Sequence, residues 1–209
     1  MTREIRIYVE GGGDEDEARG RLRAGLRGFL RDVWTDARRR GIRLNIVPCG
    51  DGVRTVRSFH RALKWHPDAF NVLLVDAEGP VTEASARQHL GTRDPRQWSG
   101  TRIQDEHCHL MVQMMEAWLV ADREKLAEYY KEGFHEKSLP DNPNVEQIDK
   151  ETLQRALERA TRQTKKGPYH KTRHAPDLLE RIRPEVVRPR ASFCDRLFRT
   201  LLAEIDRTA

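Results

Sequence analysis

The sequence has little of what staples or anchors a protein. Cysteine occurs three times in 209 residues, at positions 49, 108 and 194, with no C-x-x-C pair. An odd, scattered count argues against a disulfide framework and fits reduced thiols in a cytoplasm. No apolar run approaches a membrane span. The longest aliphatic stretch is Val72-Leu73-Leu74-Val75, against the roughly 20 residues a bilayer requires. Met1-Thr2-Arg3-Glu4 carries no apolar signal-peptide core. Hydrophobic residues make up 37% of the chain and aromatics 7%. That is lean, but the apolar positions are patterned, unlike those of a disordered chain. A chain this long buries roughly 70% of its extended surface without staples.

Charge is abundant and uneven. The formal net charge is +5, yet residues 1–149 hold 23 basic and 25 acidic side chains, and residues 150–209 hold 15 and 8. A near-neutral front and a basic tail suggest two jobs, with a polyanion as the tail's partner or a solvated helical face as the plain alternative.

Ile5-Arg6-Ile7-Tyr8-Val9 alternates and is β-branched, which predicts a strand. Gly11-Gly12-Gly13 breaks it. Leu22, Leu26, Phe29, Leu30 and Val33 then recur at helical spacing from Asp14 to about Arg40, with four acids at the start of the helix, where the macrodipole favours them. Leu44 to Val47 is a second strand. Gly52 to Trp65 is a helix, on which His60 and His66 read as surface or packing residues. Val72 to Val75 is a third strand, unalternating and therefore buried on both faces, as in a parallel sheet. His109 to Met114 is a candidate fourth strand and Glu116 to Tyr130 a helix, with Asp122 as an internal cap. The class is α/β: a parallel sheet of about four strands with flanking helices, plus a basic helical C-terminal extension. Residues 1–132 form the sheet unit, 133–149 a linker, and 150–209 the extension packed on the same unit.

Ligands of open parallel sheets bind beyond the carboxyl ends of the strands. Acids stand there in this sequence. Glu10 ends the first strand and Asp14 follows the glycines; Asp76 ends the third, with Glu78 two residues on. Clustered carboxylates repel, and a divalent cation such as Mg²⁺, which takes oxygen ligands, removes the repulsion. Such a site suits phosphoryl transfer. A glycine-rich nucleotide cradle is the competing reading, but it lacks the P-loop lysine and hydroxyl, and five acids within eight residues would repel a phosphate. Asp14 as a helix cap and Asp76 as a strand-end acid is the plain alternative.

Val9-Glu10-Gly11-Gly12-Gly13-Asp14 and Val75-Asp76-Ala77-Glu78 resemble the two acidic motifs of the Toprim fold, a Glu after the first strand and a D-x-D after the third. Topoisomerases, primases, small ribonucleases and OLD-family nucleases share this fold, and the spacing of Asp14 from Glu10 is similar to the OLD pattern. Met111 to Asp122, with the Lys-Gly-x-Tyr-x-Lys segment at 166–171, resembles a small uncharacterised bacterial Toprim-like family often encoded beside an ATPase, in the manner of phage-defence pairs. The resemblance spans residues 3–205. It implies a cytoplasmic nuclease that uses Mg²⁺ or Mn²⁺, with Glu10 as acid/base or metal ligand, Asp76 as a primary ligand and Asp14 helping to hold a second metal. Glu78 stands where the family has Asp, which puts its direct ligation in doubt. Hydrolysis is favoured over strand transfer, because Tyr8, Tyr129, Tyr130 and Tyr169 are poor nucleophile candidates.

Glu116 is either a further acid of the site or a helix-start acid. Lys171 is the position to which the resemblance assigns an essential lysine. Lys165, Lys166, Tyr169, His170, Lys171 and Arg173 form a basic loop suited to nucleic-acid contact. His107 and His109 have a spacing that suits zinc, but nothing nearby completes a tetrahedral set. The expected partners are nucleic acid and an ATPase, with no membrane, and a homo-oligomer is allowed. A non-catalytic binding subunit on a degenerate Toprim scaffold is the alternative function.

Overall fold

Four parallel strands form one sheet in the order β2-β1-β3-β4 in the computed structural model, which describes residues 4–98 and 102–207. The strands are β1 (Glu4–Val9), β2 (Arg43–Pro48), β3 (Phe70–Asp76) and β4 (Cys108–Met111). Met1 to Arg3, part of the stretch searched for a signal sequence, lie outside the described residues. The helices are α1 (Asp16–Phe29), α2 (Arg31–Arg39), α3 (Gly52–Trp65), α4 (Ala86–Arg93), α5 (Pro95–Trp98), α6 (Glu116–Ala121), α7 (Arg123–Tyr130), α8 (Lys150–Thr161), α9 (Lys171–Arg181), α10 (Pro184–Val187) and α11 (Ser192–Arg207). The α/β class, the four-strand parallel sheet and the helical C-terminal region are as the sequence predicts. No helix is long and apolar enough to cross a membrane, among the described residues.

Alternate residues of each strand feed opposite faces, the period-2 geometry of a pleated strand. Ile5, Ile7, Val9, Val72, Leu74 and Met111 enter one apolar cluster, which α1, α2, α6, α7, α8, α9 and α11 cover. Tyr8, Leu73, Val75, Cys108 and Leu110 enter the other, covered by α3, α4 and α5. Both faces of β3 are therefore buried, which is why Val72 to Val75 shows no alternation. In the larger cluster Phe29 stacks on Trp118 and meets Phe198 edge-on, each with ring centroids 5.4 Å apart. Such pairs contribute about 0.5–1.5 kcal/mol each beyond burial.

β4 ends at Met111, short of the Met114 expected, and three further segments depart from the sequence reading. The single helix expected from Asp14 to Arg40 is two, because Leu30 leaves helical geometry (φ −93°, ψ 22°). The apolar spacing runs unbroken across this bend, since Leu30 and Val33 stay buried on the same core. The helix expected from Glu116 to Tyr130 divides fully at Asp122, the internal cap the sequence predicts, which accepts from the Lys125 N–H at 3.4 Å and from Arg183 at 2.8 and 2.9 Å. Residues 133–149, expected as a linker, are instead built into the body. Leu139, Val145 and Ile148 are buried in the core, and the buried Glu146 carboxylate accepts from Ser192 Oγ at 2.7 Å and Phe193 N at 2.8 Å, capping α11.

One helix crossing positions a residue of the candidate site. α1 lies directly against α9, and Gly25 makes the close approach possible: a Cβ there would sit 2.3 Å from the Pro176 carbonyl oxygen. Arg21 ties the same pair by donating to Arg173 O at 2.6 Å and Asp177 at 3.0 Å. Because the obstacle is backbone, Gly25→Ala is expected to cost about 2 kcal/mol of stability, within the range of overpacking strain. Urea unfolding checks this, and a stability equal to wild type would mean that the helices can separate freely.

Candidate metal centre

β1 and β3 are neighbours, with Val9 opposite Leu74. The residues just past their ends therefore meet. The Glu10 carboxylate accepts from the Asp76 N–H at 3.0 Å. Asp76 is 2% exposed, and its Oδ1 accepts from the Met115 N–H at 2.9 Å while Oδ2 accepts from Lys171 Nζ at 3.0 Å. Glu78 takes a positive φ of 65° and its N–H donates to Gln113 O at 2.9 Å. Glu10, Asp76 and Glu78 each present a carboxylate oxygen, and the three oxygens lie within 4.8 Å of one another. Glu78, though longer than the expected Asp, stands in this cluster.

A fourth acid lies beneath. Glu116, at the start of α6, is 1% exposed. Its Oε1 accepts from Tyr169 OH at 2.9 Å. Its Oε2 lies 3.6 Å from Lys171 Nζ and has no hydrogen-bond partner among the described residues. Lys171 thus stands between Asp76 and Glu116 as their shared counter-ion. It opens α9, so the glycine-sealed α1–α9 crossing sets where its ammonium can reach. A second ammonium, that of Lys150 at the start of α8, pairs with Glu78.

The electrostatics follow from burial and like charge. Burial first, then the neighbouring Asp76, push the Glu10 carboxyl up to about 7, against the Asp76 N–H and Lys171, which favour its charged form. Burial, with Asp76 adding, raises the Glu116 carboxyl too, against the pull of Lys171. Lys171 is held above the usual lysine range by Asp76 and Glu116, although burial opposes them. The Tyr169 hydroxyl is raised by burial and by Glu116, which keeps it a donor.

The Glu10 shift has a sign that can be checked. A carboxyl raised in the folded state binds more protons there than in the unfolded chain, so its contribution to stability falls as pH rises from about 4.5 to about 7. Glu10→Gln removes that loss. Relative to wild type, the variant is expected to gain stability between pH 5 and pH 8 in urea unfolding. A wild-type protein that gains more than the variant over this window would contradict the assignment.

The other predicted residues fall elsewhere. Asp14 is exposed and pairs with Arg54 and with Arg19 at 4.0 Å, so it is not one of the clustered acids. Of the basic loop, Tyr169 and Lys171 point their polar ends inward to Glu116 and Asp76, which removes the Tyr169 hydroxyl from any outer contact. Lys165 is exposed, 3.7 Å from Glu132, and the Lys166 ammonium sits 4.4 Å from the Tyr129 ring centroid. His170 is exposed and precedes α9, and Arg173 is exposed within its first turn. His109 is buried, with Nε2 at 3.0 Å from Glu106 O and Nδ1 at 3.2 Å from Arg196. Both ring nitrogens are committed, which leaves none for zinc. Much of the basic tail is likewise turned to internal use: Arg183 binds Asp122, Arg190 donates to Ala121 O at 2.7 Å, and Arg196 binds Asp105.

Sequence reasoning missed Lys150, which is 72 residues from its partner and carries no local signal. It also missed Arg93, whose guanidinium donates to the Asp76 and Ala77 carbonyls at 2.8 and 3.1 Å. Asp51 caps the start of α3, and the next residue, Gly52, lies so close to the site that a Cβ would stand 3.1 Å from Glu10 Oε2.

Mg²⁺ or Mn²⁺ fits this donor set. All candidate ligands are hard carboxylate oxygens, and three of them converge within 4.8 Å, with Asp76 adding to the burial that raises the Glu10 carboxyl. The fold and the site define an α/β protein with a carboxylate cluster at the carboxyl edge of a parallel sheet. The chain belongs to the family described as domain of unknown function DUF4276, whose model matches residues 9–202. No curated protein and no solved structure matches it.

Proposed function

We propose that the chain is a Mg²⁺- or Mn²⁺-dependent phosphodiesterase that hydrolyses nucleic acid, related to the Toprim nucleases and acting with an ATPase partner in antiviral defence. The observation that carries the reading is the convergence of Glu10, Asp76 and Glu78 within 4.8 Å at the ends of adjacent parallel strands, with a lysine at their edge. The order of the two acidic motifs supports the Toprim kinship, and the resemblance of the segments at 111–122 and 166–171 to a family often encoded beside an ATPase supports that partnership.

Glu10, Asp76 and Glu78 would hold the ion. When bound, it supplies charge neutralisation at the phosphoryl group and a lowered water pKa. The chain's own groups do the rest. Ion uptake at Glu10 would release a proton, because its carboxyl stands near 7 in the metal-free chain. The Asp76 N–H fixes that carboxylate, and Met115 N fixes Asp76 in turn. Lys171 directs an ammonium at the acids' edge, where it neutralises charge that develops on an incoming phosphate. Tyr169 holds Glu116 so that its free oxygen faces that ammonium.

Incubation with plasmid, single-stranded DNA and RNA, with and without Mn²⁺, tests this. Metal-dependent cleavage lost in Glu10→Ala is the expected result, and cleavage that persists in that variant would overturn the site.

A second reading has its own observation. Lys150 and Lys171 already neutralise Glu78 and Asp76 from within, as a retired metal site would require. The protein would then be a binding subunit. Calorimetric titration with Mn²⁺ separates the readings: saturable binding supports the enzyme, and its absence supports the subunit.

A further inference from the structure

The outer face of α3, next to the site, carries charge of one sign. Gly52 to Pro67 contains Arg54, Arg57, Arg61 and Lys64 and no acid at all. Arg54 is engaged by Asp14 and Asp51. Arg57, Arg61 and Lys64 are exposed and have no carboxylate partner among the described residues. They fall at i, i+4 and i+7, on one side of the helix. Charge of one sign without compensation costs stability through self-repulsion, and it attracts a polyanion.

Two features narrow the partner. Trp65 closes the helix with 72% of its surface exposed, and the Arg61 guanidinium lies 5.9 Å from its ring centroid. A groove of about 300 Å³ runs beside the cations, lined by Val53, Arg57, His60, Arg61, Lys64 and Gln97. The buried His60 Nε2 has no partner there among the described residues. Cations that track a backbone beside an exposed aromatic form a stacking platform for unpaired bases, which a duplex keeps hidden in its stack. The helix begins at Gly52, against Glu10, and its 14 residues span about 21 Å at 1.5 Å per residue. The strip therefore leads away from the carboxylate cluster.

We infer that the outer face of α3 binds single-stranded nucleic acid, with Arg57, Arg61 and Lys64 on the phosphates and Trp65 stacked on a base. The inference rests on the phosphodiesterase reading and names the form of its substrate and the surface that holds it. It moves the main polyanion contact from the basic tail, much of which is committed internally, to the opposite face of the sheet.

Anisotropy of a labelled single-stranded 20-mer, measured in EDTA, isolates binding from hydrolysis. Wild type and Asp76→Asn are expected to bind alike, so loss of cleavage in Asp76→Asn leaves this result untouched. The triple variant Arg57→Glu, Arg61→Glu, Lys64→Glu is expected to bind at least about tenfold more weakly, with a log–log salt slope smaller by about 2. Trp65→Ala is expected to lose about tenfold for the single strand and little for a duplex. Saturation with the strand is expected to quench a tryptophan emission component that Trp65→Phe lacks, a readout that needs no charge reversal. Wild-type affinity in both the triple variant and Trp65→Ala would overturn the inference. So would failure of wild type to bind the strand, or tighter binding of polyglutamate, which would mark an acidic peptide as the partner.

Discussion

Lys171→Met is expected to destabilise the fold by about 3 kcal/mol at pH 7. Lys171 is the shared counter-ion of Asp76, 2% exposed, and Glu116, 1% exposed. Removing one partner of a buried pair leaves an uncompensated charge and costs about 3–5 kcal/mol. The low end applies because the lysine side chain keeps 42% of its exposure. The sign with pH follows from the acids left behind. Glu116, whose carboxyl burial already raises, needs no counter-ion once protonated, so the deficit shrinks as pH falls towards 5. Urea unfolding of variant and wild type at pH 7 and pH 5 checks both statements. A deficit that is absent, or that grows on acidification, would mean that Lys171 does not compensate these carboxylates.

Asp76→Asn carries the second large effect, on activity rather than on the fold. Asn keeps an oxygen for the Met115 N–H, so the local hydrogen bond survives. What goes is the charge at the centre of the cluster. Charge stabilisation of several kcal/mol at a phosphoryl group corresponds to a rate loss of at least about a thousandfold. Initial rates on single-stranded DNA in Mn²⁺ measure it, with circular dichroism to verify the fold. A loss under about tenfold would place the chemistry elsewhere.

How much of this was legible depended on whether the signal was local. The strand Ile5 to Val9 announced itself by alternation, and Val72 to Val75 by the lack of it, because the half-buried Arg6 interrupts the apolar residues of the first while every residue of the second is buried. The positions of Glu10 and Asp76 followed from strand ends alone. Their meeting did not, since it needs β1 beside β3, a choice that periodicity leaves open. Asp14 could not be told from a ligand in sequence, because a helix-start acid and a metal ligand look the same until Arg54 is seen to hold it. Lys171 was expected as an essential lysine and stands against Asp76, whereas Tyr169, read as a nucleic-acid contact of the basic loop, turns its hydroxyl inward to Glu116. The linker reading of 133–149 failed because prolines and polar residues dominate the composition, while the three buried anchors, Leu139, Val145 and Ile148, are too sparse to form a period.

These same long-range pairings frame the central question, which is whether the cluster holds a cation or is neutralised from within by Lys150 and Lys171. A crystal of the protein soaked in Mn²⁺, with data collected for anomalous scattering, answers it most directly. The expected result is an anomalous peak among the Glu10, Asp76 and Glu78 carboxylates, with the Lys150–Glu78 pair opened. The contradicting result is no peak at that position, with both lysines still paired to their acids.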